Sequence, residues 1–243
     1  MPRRRVLRYL KTKEPEPTAR QKYFVQYLPA ALYHHPEHFP PFTSNALFGN
    51  AHPLELEVGC GSGEYLCLLA RRFPEHNFVG IDKSRKAIYR GVQMAADMNL
   101  ANIKFIEADV YLIYPLLVPA SLQAVYMHFP DPYERPQLRK RRIFSPKFLD
   151  AVSMALREGG ILSVASDHEE FFMEMLDMVE QDDRFAKQHA ERYLRGFDVE
   201  VKSRFQHIWE GHGVVPLRFL VYKQHAYTAA GKDESLKGLQ RIH

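Results

Sequence analysis

A glycine-rich segment beside an acid is the first group of residues in this 243-residue chain that is suited to chemistry. Gly59, Gly61 and Gly63 follow the apolar run 54–58 in the sequence EVGCGSG. Glycines directly after a strand allow the backbone to turn tightly and to approach a ligand closely. The dinucleotide-binding pattern needs its third glycine where Glu64 stands, and Glu57 would repel a pyrophosphate. The segment therefore predicts a binding loop for a ligand with a neutral or cationic centre.

Acids also end the next two strand-like runs. Asp82 closes the run NFVGID, and an acid at this place suits the two hydroxyls of a ribose. The run 102–109 closes with Glu107-Ala108-Asp109, where a carboxylate can accept a hydrogen bond from an adenine amino group. A glycine-rich turn in some other doubly wound protein is the alternative interpretation of the loop alone.

One carboxylate stands between two prolines after the run 122–129. The prolines restrict the backbone on both sides of Asp131 and so fix its position. An ordinary turn is the alternative, because Pro-Asp-Pro is common turn chemistry. Five basic residues follow: Arg135, Arg139, Lys140, Arg141 and Arg142. A short charge run usually forms a solvated surface, but its place beside Asp131 favours contacts with the phosphates of a nucleic acid.

Alternating strand and helix patterns must position these residues. We predict helices at 64–73, 85–100, 145–156 and 168–181, and strands at 54–58, 77–82, 102–109, 122–129, 161–166, about 198–205 and 216–223. Such alternation is typical of βαβ units, so the predicted fold is an α/β, doubly wound, mostly parallel sheet with helices on both faces. Ligands of such folds bind at the carboxyl ends of the strands. Each acid described above lies at such an end.

Three regions follow from the change in pattern along the chain. Residues 1–53 are basic at the start and rich in proline and aromatics, which predicts an extension laid over the domain with one short helix near 20–33. Residues 54–223 form the main domain. Residues 224–243 are polar and are predicted to be a flexible tail.

The glycine loop and its acids resemble the class I S-adenosylmethionine-dependent methyltransferases, which have a Rossmann-like seven-stranded sheet. In that class the loop is G-x-G-x-G preceded by an acid, the acid after the second strand holds ribose, and the acid after the third strand meets adenine. The resemblance implies S-adenosylmethionine as cofactor, bound by Glu57, Gly59, Gly61, Gly63, Asp82 and Asp109.

The segment 54–223 is most similar to one family of that class, the bacterial tRNA (guanine-N7)-methyltransferases, which modify the variable-loop guanine. The family pattern F-P-D-P-W, a basic residue and then K-R-R corresponds to FPDPY at 129–133, Arg135 and KRR at 140–142. The resemblance implies that Asp131 is a catalytic and cofactor-site acid. It also implies that Arg135 and Asp167 lie at the RNA substrate. Asp167 alternatively caps the helix after it, since Asp is a favoured N-cap.

Three departures from the family pattern bear on function. Asp82 replaces a Glu, which shortens the reach to ribose, and Tyr133 replaces a Trp. Val201 and Arg204 stand where the family has a Thr-x-x-Glu element that contacts substrate, and a shifted alignment brings in Ser203 without a following acid. This last departure favours the alternative functions: a methyltransferase acting on another RNA site, a protein or a small molecule, or a non-catalytic RNA-binding relative.

Charge supports an RNA partner. The net charge of +4 is concentrated in residues 1–13 and 135–147, which contain no acid, and the rest of the chain is net acidic. Arg3, Arg4, Arg5 and Arg8 are predicted to form an arm that orders on tRNA. The segment 158–183 has acids but no Lys or Arg, so we expect that face to avoid phosphate.

Several classes of protein are excluded or disfavoured by composition. Two cysteines argue against a secreted disulfide framework, and no apolar run is long enough to span a membrane. We expect a cytoplasmic protein, although an arginine-rich start is also typical of mitochondrial presequences. The histidines show no metal-binding spacing, so no metal is predicted. Both a monomer and a homodimer are compatible with the sequence.

Overall fold

The protein's fold is one mixed sheet flanked by helices. The structure, a computed structural model, describes residues 13–27, 29–196, 201–202 and 204–224, apart from the side chains of residues 204 and 205. Strands are β1 (Phe24–Gln26), β2 (Leu54–Val58), β3 (Asn77–Asp82), β4 (Ile103–Glu107), β5 (Leu122–His128), β6 (Leu156–Ser166), β7 (Phe185–Lys187), β8 (Leu194–Arg195) and β9 (Leu217–Lys223). Helices are α1 (Pro17–Tyr23), α2 (Pro29–His34), α3 (Ser44–Phe48), α4 (Glu64–Arg72), α5 (Arg85–Asp97), α6 (Val110–Ile113), α7 (Pro136–Arg139), α8 (Pro146–Ala155), α9 (Glu169–Glu180) and α10 (Arg204–Gly211). The predicted arm at residues 3–8 and the tail beyond residue 224 lie outside the described residues.

The strand order is β1-β4-β3-β2-β5-β6-β9-β7, and β8 pairs with β9. Strands β1 to β6 pair in parallel, whereas β9 runs antiparallel to β6, β7 and β8. The order reverses at β2, which lies between β3 and β5, and this is the switch point where ligands bind in doubly wound folds. The predicted doubly wound, mostly parallel sheet is therefore confirmed.

Two hydrophobic clusters cover the two faces of the sheet. Alternate residues of β2 point to opposite faces, and Leu54, Leu56 and Val58 join the cluster that packs against α8 and α9. The other cluster contains apolar residues of α1, α4 and α5. Glu55 and Glu57 of β2 face this second cluster, because they alternate with the leucines. Two acids are thus buried inside the domain, at 4% and 3% exposure.

The N-terminal extension adds an element to the sheet edge. Strand β1 pairs with β4 in parallel, with Phe24 opposite Phe105, and the Tyr23 hydroxyl donates to the backbone oxygen of Leu100 at 2.7 Å. Two helices and a strand replace the single predicted helix near 20–33. A three-residue strand has too few positions to show a periodic pattern, so the sequence does not reveal it. The predicted boundary at residue 53 falls between two parts of one sheet.

The predicted strand at about 198–205 is wrong in the described residues of that range. Residues 201 and 202 belong to no strand and Arg204 begins helix α10. The strand that pairs with β9 at this side of the sheet is instead β7, at Phe185–Lys187. Such a short strand depends on its partner rather than on its own sequence. None of the described helices has both the length and the apolar character that a membrane span needs.

Candidate active site at the carboxyl edge of the sheet

The glycine loop after β2 has the backbone conformation that the sequence predicts. Gly61 has φ +54°, and a Cβ built on it meets no atom within 4 Å, so the loop presents open space on that side. Gly63 has φ +65°, and a Cβ there would overlap the ring of Phe105. Left-handed backbone is costly for residues with a side chain. The loop is therefore specified by its glycines and leaves room for a ligand at Gly61.

Asp82 holds this loop against the end of β3. One carboxylate oxygen accepts from the backbone N–H of Gly61 at 3.0 Å, and the other accepts from Ser84 at 2.7 Å. Burial raises the pKa of Asp82, while these N–H groups oppose the shift. The residue predicted to bind ribose thus also fixes the loop and the start of α5.

Glu57 is a buried carboxyl with one unsatisfied oxygen. Its Oε2 has no hydrogen-bond partner among the described residues. Burial, followed by the negative charge of Asp82, raises the pKa of Glu57 to about 8. Burying such a group without a partner is costly. A cationic ligand group would supply the missing partner and favour the ionised carboxylate, so this residue fits a cofactor that carries positive charge.

The two acids at the end of β4, Glu107 and Asp109, are both engaged in local contacts. Asp109 is exposed and caps α6, because its Oδ1 accepts from the backbone N–H of Tyr111 at 3.1 Å. Glu107 accepts a hydrogen bond from Arg85 Nε at 2.7 Å. Asp109 is the more available of the two for a ligand.

The Phe129–Tyr133 loop after β5 has unusual backbone at both ends. Phe129 has φ +53° and Tyr133 has φ +40°, and such values in residues other than glycine cost free energy and occur often at functional sites. The Phe129 N–H donates to the backbone oxygen of Ala165 in β6 at 2.7 Å. Between these residues Asp131 is exposed, and its Oδ1 accepts from the Tyr133 N–H at 3.0 Å. The loop therefore presents Asp131 at the carboxyl edge of the sheet.

A buried polar group beneath this loop escapes sequence-based prediction. Arg218 of β9 is 5% exposed and donates from Nε and Nη2 to the Ser163 hydroxyl at 3.2 and 3.1 Å. Both lone pairs of that oxygen are thus used, so its proton is directed to His128 Nε2, 3.1 Å away. Burial, followed by the charge of Arg218, lowers the pKa of His128 to about 3. The only sequence signal is a charged residue inside an apolar strand pattern.

The predicted basic block divides into exposed and buried residues. Arg135, Lys140 and Arg141 are exposed and form no ion pair with any described residue. Arg139 is about half exposed and pairs with Glu170 at 3.3 Å. Arg142 has a side chain only 9% exposed and pairs with Glu174, so its predicted contact with RNA phosphate does not agree with its position.

The acidic segment 158–183 is not a separate face. Glu170 and Glu174 of this segment contact the basic block directly. Charge along the sequence does not reveal this, because the fold brings together residues that are 31 and 32 positions apart in the chain.

His168, and not Asp167, caps the helix that follows β6. The N-cap of α9 is His168, whose Nδ1 accepts from the Phe171 N–H at 3.2 Å. The cap therefore lies one residue after Asp167, and the capping alternative for Asp167 is wrong. Asp167 follows β6 at the same edge as Asp131.

The region aligned with the family's Thr-x-x-Glu element lies before β9. Val201 is half-buried and packs against the cluster that contains α4 and α5. Arg204 begins α10, while Ser203 lies outside the described residues. An apolar contact explains Val201 in this structure.

One group of possible metal ligands lies on the N-terminal extension. Ligand atoms of His35, Glu37 and His38 lie within 4.8 Å of one another, and all three residues are exposed. They are remote in sequence from the acids at the carboxyl edge. The prediction that function needs no metal stays a prediction.

Comparison with known proteins places these features in a family. A family model described as a putative methyltransferase matches residues 51–213. The tRNA (guanine-N(7)-)-methyltransferase of Rubrobacter xylanophilus is 47% identical over 216 residues, which cover 89% of this chain and 97% of that protein. The enzyme of the same name from Chloroherpeton thalassium is 36% identical over 88% of this chain and 95% of that protein.

Solved structures show a similar fold at low sequence identity. The 16S rRNA methyltransferase KamB superposes with a TM-score of 0.55 and 18% identity, covering 75% of this chain and 95% of that one. The antibiotic-resistance methyltransferase Kmr gives a TM-score of 0.53 and 16% identity, over 84% of this chain and 96% of that one. These similarities concern the fold alone.

Proposed function

This chain belongs to the tRNA (guanine-N7)-methyltransferase family, and on that premise we propose that it methylates N7 of the variable-loop guanine of tRNA. The methyl donor of the family is S-adenosylmethionine. The observation that carries the proposal is Asp131, held exposed between two prolines on a loop at the carboxyl edge of the sheet. Glu57 near the end of the neighbouring strand β2, and the glycine loop after that strand, lie at the same edge.

The cofactor site is built from the loop and its acids. Glu57 offers a buried, unpartnered oxygen to a cationic group. Gly59 and Gly61 leave space in which a ligand can approach the backbone, since a Cβ on either would meet nothing within 4 Å. Asp82 and Asp109 are proposed to bind the ribose and the adenine. The bound cofactor would supply an electrophilic methyl group.

Methylation at guanine N7 places few demands on acid–base chemistry. N7 carries an in-plane lone pair and no proton, so this chain needs no general base for the step. The residues must align N7 with the methyl group and exclude other nucleophiles. The purine would become cationic as the bond from N7 to the methyl carbon forms and the methyl–sulfur bond breaks, with the sulfur leaving as a neutral thioether, and a nearby carboxylate would stabilise the charge on the purine. We assign this electrostatic role to Asp131, and a positioning role at the guanine to Asp167.

The exposed cations would hold the tRNA backbone. Arg135, Lys140 and Arg141 are free to meet phosphates, and phosphate contacts orient a nucleic acid without reading its sequence. Arg139 joins them if its exposed pair with Glu170 opens, and such surface pairs contribute little stability. The predicted arm at residues 3–8 would add further contacts, and a cytoplasmic location agrees with a tRNA substrate.

A second function is favoured by one observation. Val201 is half-buried against the core at the position where the family has a substrate-contacting threonine. A methyltransferase of the same chemistry acting on another RNA nucleotide is therefore the alternative.

The test combines methyl transfer with mapping of the product. Purified protein is incubated with unmodified tRNA and labelled S-adenosylmethionine, and the product is treated with borohydride and aniline, which cleave the chain at 7-methylguanosine. We expect label in tRNA and cleavage within the variable loop. Label without cleavage would contradict the N7 assignment. Cleavage outside the variable loop would show that the target is a different guanine. Cofactor binding without transfer to any RNA would favour the non-catalytic RNA-binding alternative.

A further inference from the structure

Arg142 is the one member of the basic block that faces inward. Its Nε donates to the backbone oxygen of Pro132 at 2.6 Å, and its Nη1 pairs with Glu174 of α9. The guanidinium carbon lies 4.3 Å from the ring centroid of Phe171. Phe171 is itself 2% exposed. The planar fork of the guanidinium thus binds a loop carbonyl and a helix carboxylate while stacking on a fixed ring.

The backbone of the same residue connects to a second loop. The Tyr111 hydroxyl donates to the backbone oxygen of Arg142 at 2.9 Å. Tyr111 in turn donates its N–H to Asp109 at 3.1 Å. A chain of hydrogen bonds therefore runs from Asp109 through Tyr111 and Arg142 to Pro132, the residue after Asp131.

The loop that receives this bond needs external support. Its ends have positive φ at Phe129 and Tyr133, and backbone in that region persists only when surrounding contacts fix it. The described contacts of Pro132 with the rest of the protein include the Arg142 bond, and the pair of Arg142 with Glu174 connects this bond to α9. Loss of that bond would remove one support of the carboxyl half of the loop, next to the Asp131 carboxylate.

From these contacts we propose that Arg142 is a positioning residue, which fixes the Asp131 loop for methyl transfer and does not bind RNA. This inference rests on the proposed function. Its neighbour Arg141 has the opposite role, since it is exposed and makes no ion pair in the described part of the chain. Adjacent arginines of equal charge therefore serve catalysis and RNA binding separately.

The two roles are separated by comparing Arg142→Gln and Arg142→Lys with Arg141→Gln. Steady-state kinetics with tRNA and S-adenosylmethionine give kcat and the KM for tRNA, and binding is measured from low to high salt. Arg142→Gln should lower kcat by about 10- to 100-fold, the range expected for a misplacement of about 1 Å, with an unchanged salt slope. Arg142→Lys should have a kcat between those of Arg142→Gln and the wild type, because the positive charge remains while the planar guanidinium is lost. Arg141→Gln should raise KM and reduce the salt slope by about 1.

Controls separate positioning from unfolding. S-adenosylhomocysteine binding stoichiometry gives the folded fraction to which kcat is normalised. Glu174→Gln retains the Arg142–Pro132 bond and is predicted to lower kcat less than Arg142→Gln, and Glu170→Gln on the same helix serves as its matched control. This comparison remains informative if the Arg142 variants do not fold.

Two results would overturn the inference. One is a normalised kcat for Arg142→Gln equal to that of the wild type, and the other is a salt slope reduced as much as by Arg141→Gln. If the Arg142 variants do not fold, equal kcat values for Glu174→Gln and Glu170→Gln would overturn the inference. A wild-type protein that transfers no methyl group to tRNA would instead overturn the proposed function.

Discussion

The backbone N–H of Gly61 donates to the carboxylate of Asp82 at 3.0 Å, joining the loop after β2 to the end of β3. The same carboxylate accepts from Ser84 at the start of α5. One acid thus fixes the backbone of two neighbouring loops at the switch point of the sheet. Its contribution to binding and its contribution to stability are therefore coupled.

Replacement of Asp82 should reduce both the stability of the protein and its affinity for S-adenosylmethionine. Asp82→Ala leaves two backbone N–H groups without their charged acceptor, and we expect a loss of about 2 to 4 kcal/mol in the free energy of unfolding. Asp82→Asn keeps one acceptor and should lose less. Urea unfolding measures stability and calorimetry measures S-adenosylmethionine affinity. Equal stability of Asp82→Ala and the wild type would contradict the observed bonds.

Glu57 should make cofactor affinity depend on pH. Its pKa is raised to about 8, so at pH 7 the free protein holds this carboxyl mostly protonated, whereas a cationic ligand prefers the carboxylate. Affinity for S-adenosylmethionine should therefore rise with pH up to about 8, by at most about tenfold per unit. Calorimetry from pH 6 to 9 tests this, and Glu57→Gln should bind weakly with little of that dependence. A pH-independent wild type would exclude Glu57 as the partner of the cation.

The same residue should reduce stability at alkaline pH. Because its folded-state pKa lies above the ordinary value of 4.5, the native state binds more protons between pH 4.5 and 8, and stability falls as pH rises through that window. Glu57→Gln should lack this loss and have a higher Tm than the wild type at pH 8. A lower Tm for the variant at that pH would show that the carboxylate has a stabilising partner.

Asp131→Asn should separate catalysis from binding. The amide keeps an acceptor for the Tyr133 N–H and removes the charge that stabilises the cationic purine, so kcat should fall by about 100-fold. Binding of tRNA, measured by filter retention, should change much less. Glu134→Gln, a loss of equal charge at a nearby exposed position, is the control. Similar effects of the two substitutions would assign Asp131 only a general electrostatic role.

The exposed cations should determine the salt dependence of tRNA binding. Joint replacement of Arg135, Lys140 and Arg141 by Gln removes three phosphate contacts, and the slope of log affinity against log salt should decrease by about 2 to 3. Arg71→Gln, on the exposed face of α4, should leave the slope unchanged. An unaltered slope in the triple variant would remove these residues from the interface.

His128 should destabilise the protein in acid. Its folded-state pKa of about 3 lies below the ordinary 6.5, so the unfolded state binds a proton that the native state does not, and stability falls as pH decreases from 6.5. His128→Gln offers an amide oxygen to the Ser163 hydroxyl and should show a shallower decrease in Tm between pH 7 and 5. His52→Gln, at an exposed position, is the control. Parallel Tm profiles for all three proteins would contradict the low pKa.

The sequence by itself determined the doubly wound class of the sheet, the glycine loop and the acids at the strand ends. Strands such as β2 and β3 have apolar patterns of their own. Gly61 and Gly63 can adopt positive φ because glycine has no side chain. The helix start at Ser145 is similarly local, since its hydroxyl accepts from the Phe148 N–H as capping residues do. The physical cause of each of these features lies within a few neighbouring residues, which is why the sequence indicates them.

Only the tertiary structure decided which charges face the solvent and which are buried. Arg141 and Arg142 are equivalent in sequence, but packing of the loop against α9 places only Arg142 between Pro132 and Glu174. Strand β7 likewise exists through its pairing with β9. These features depend on contacts between residues distant in the chain, which no local pattern records.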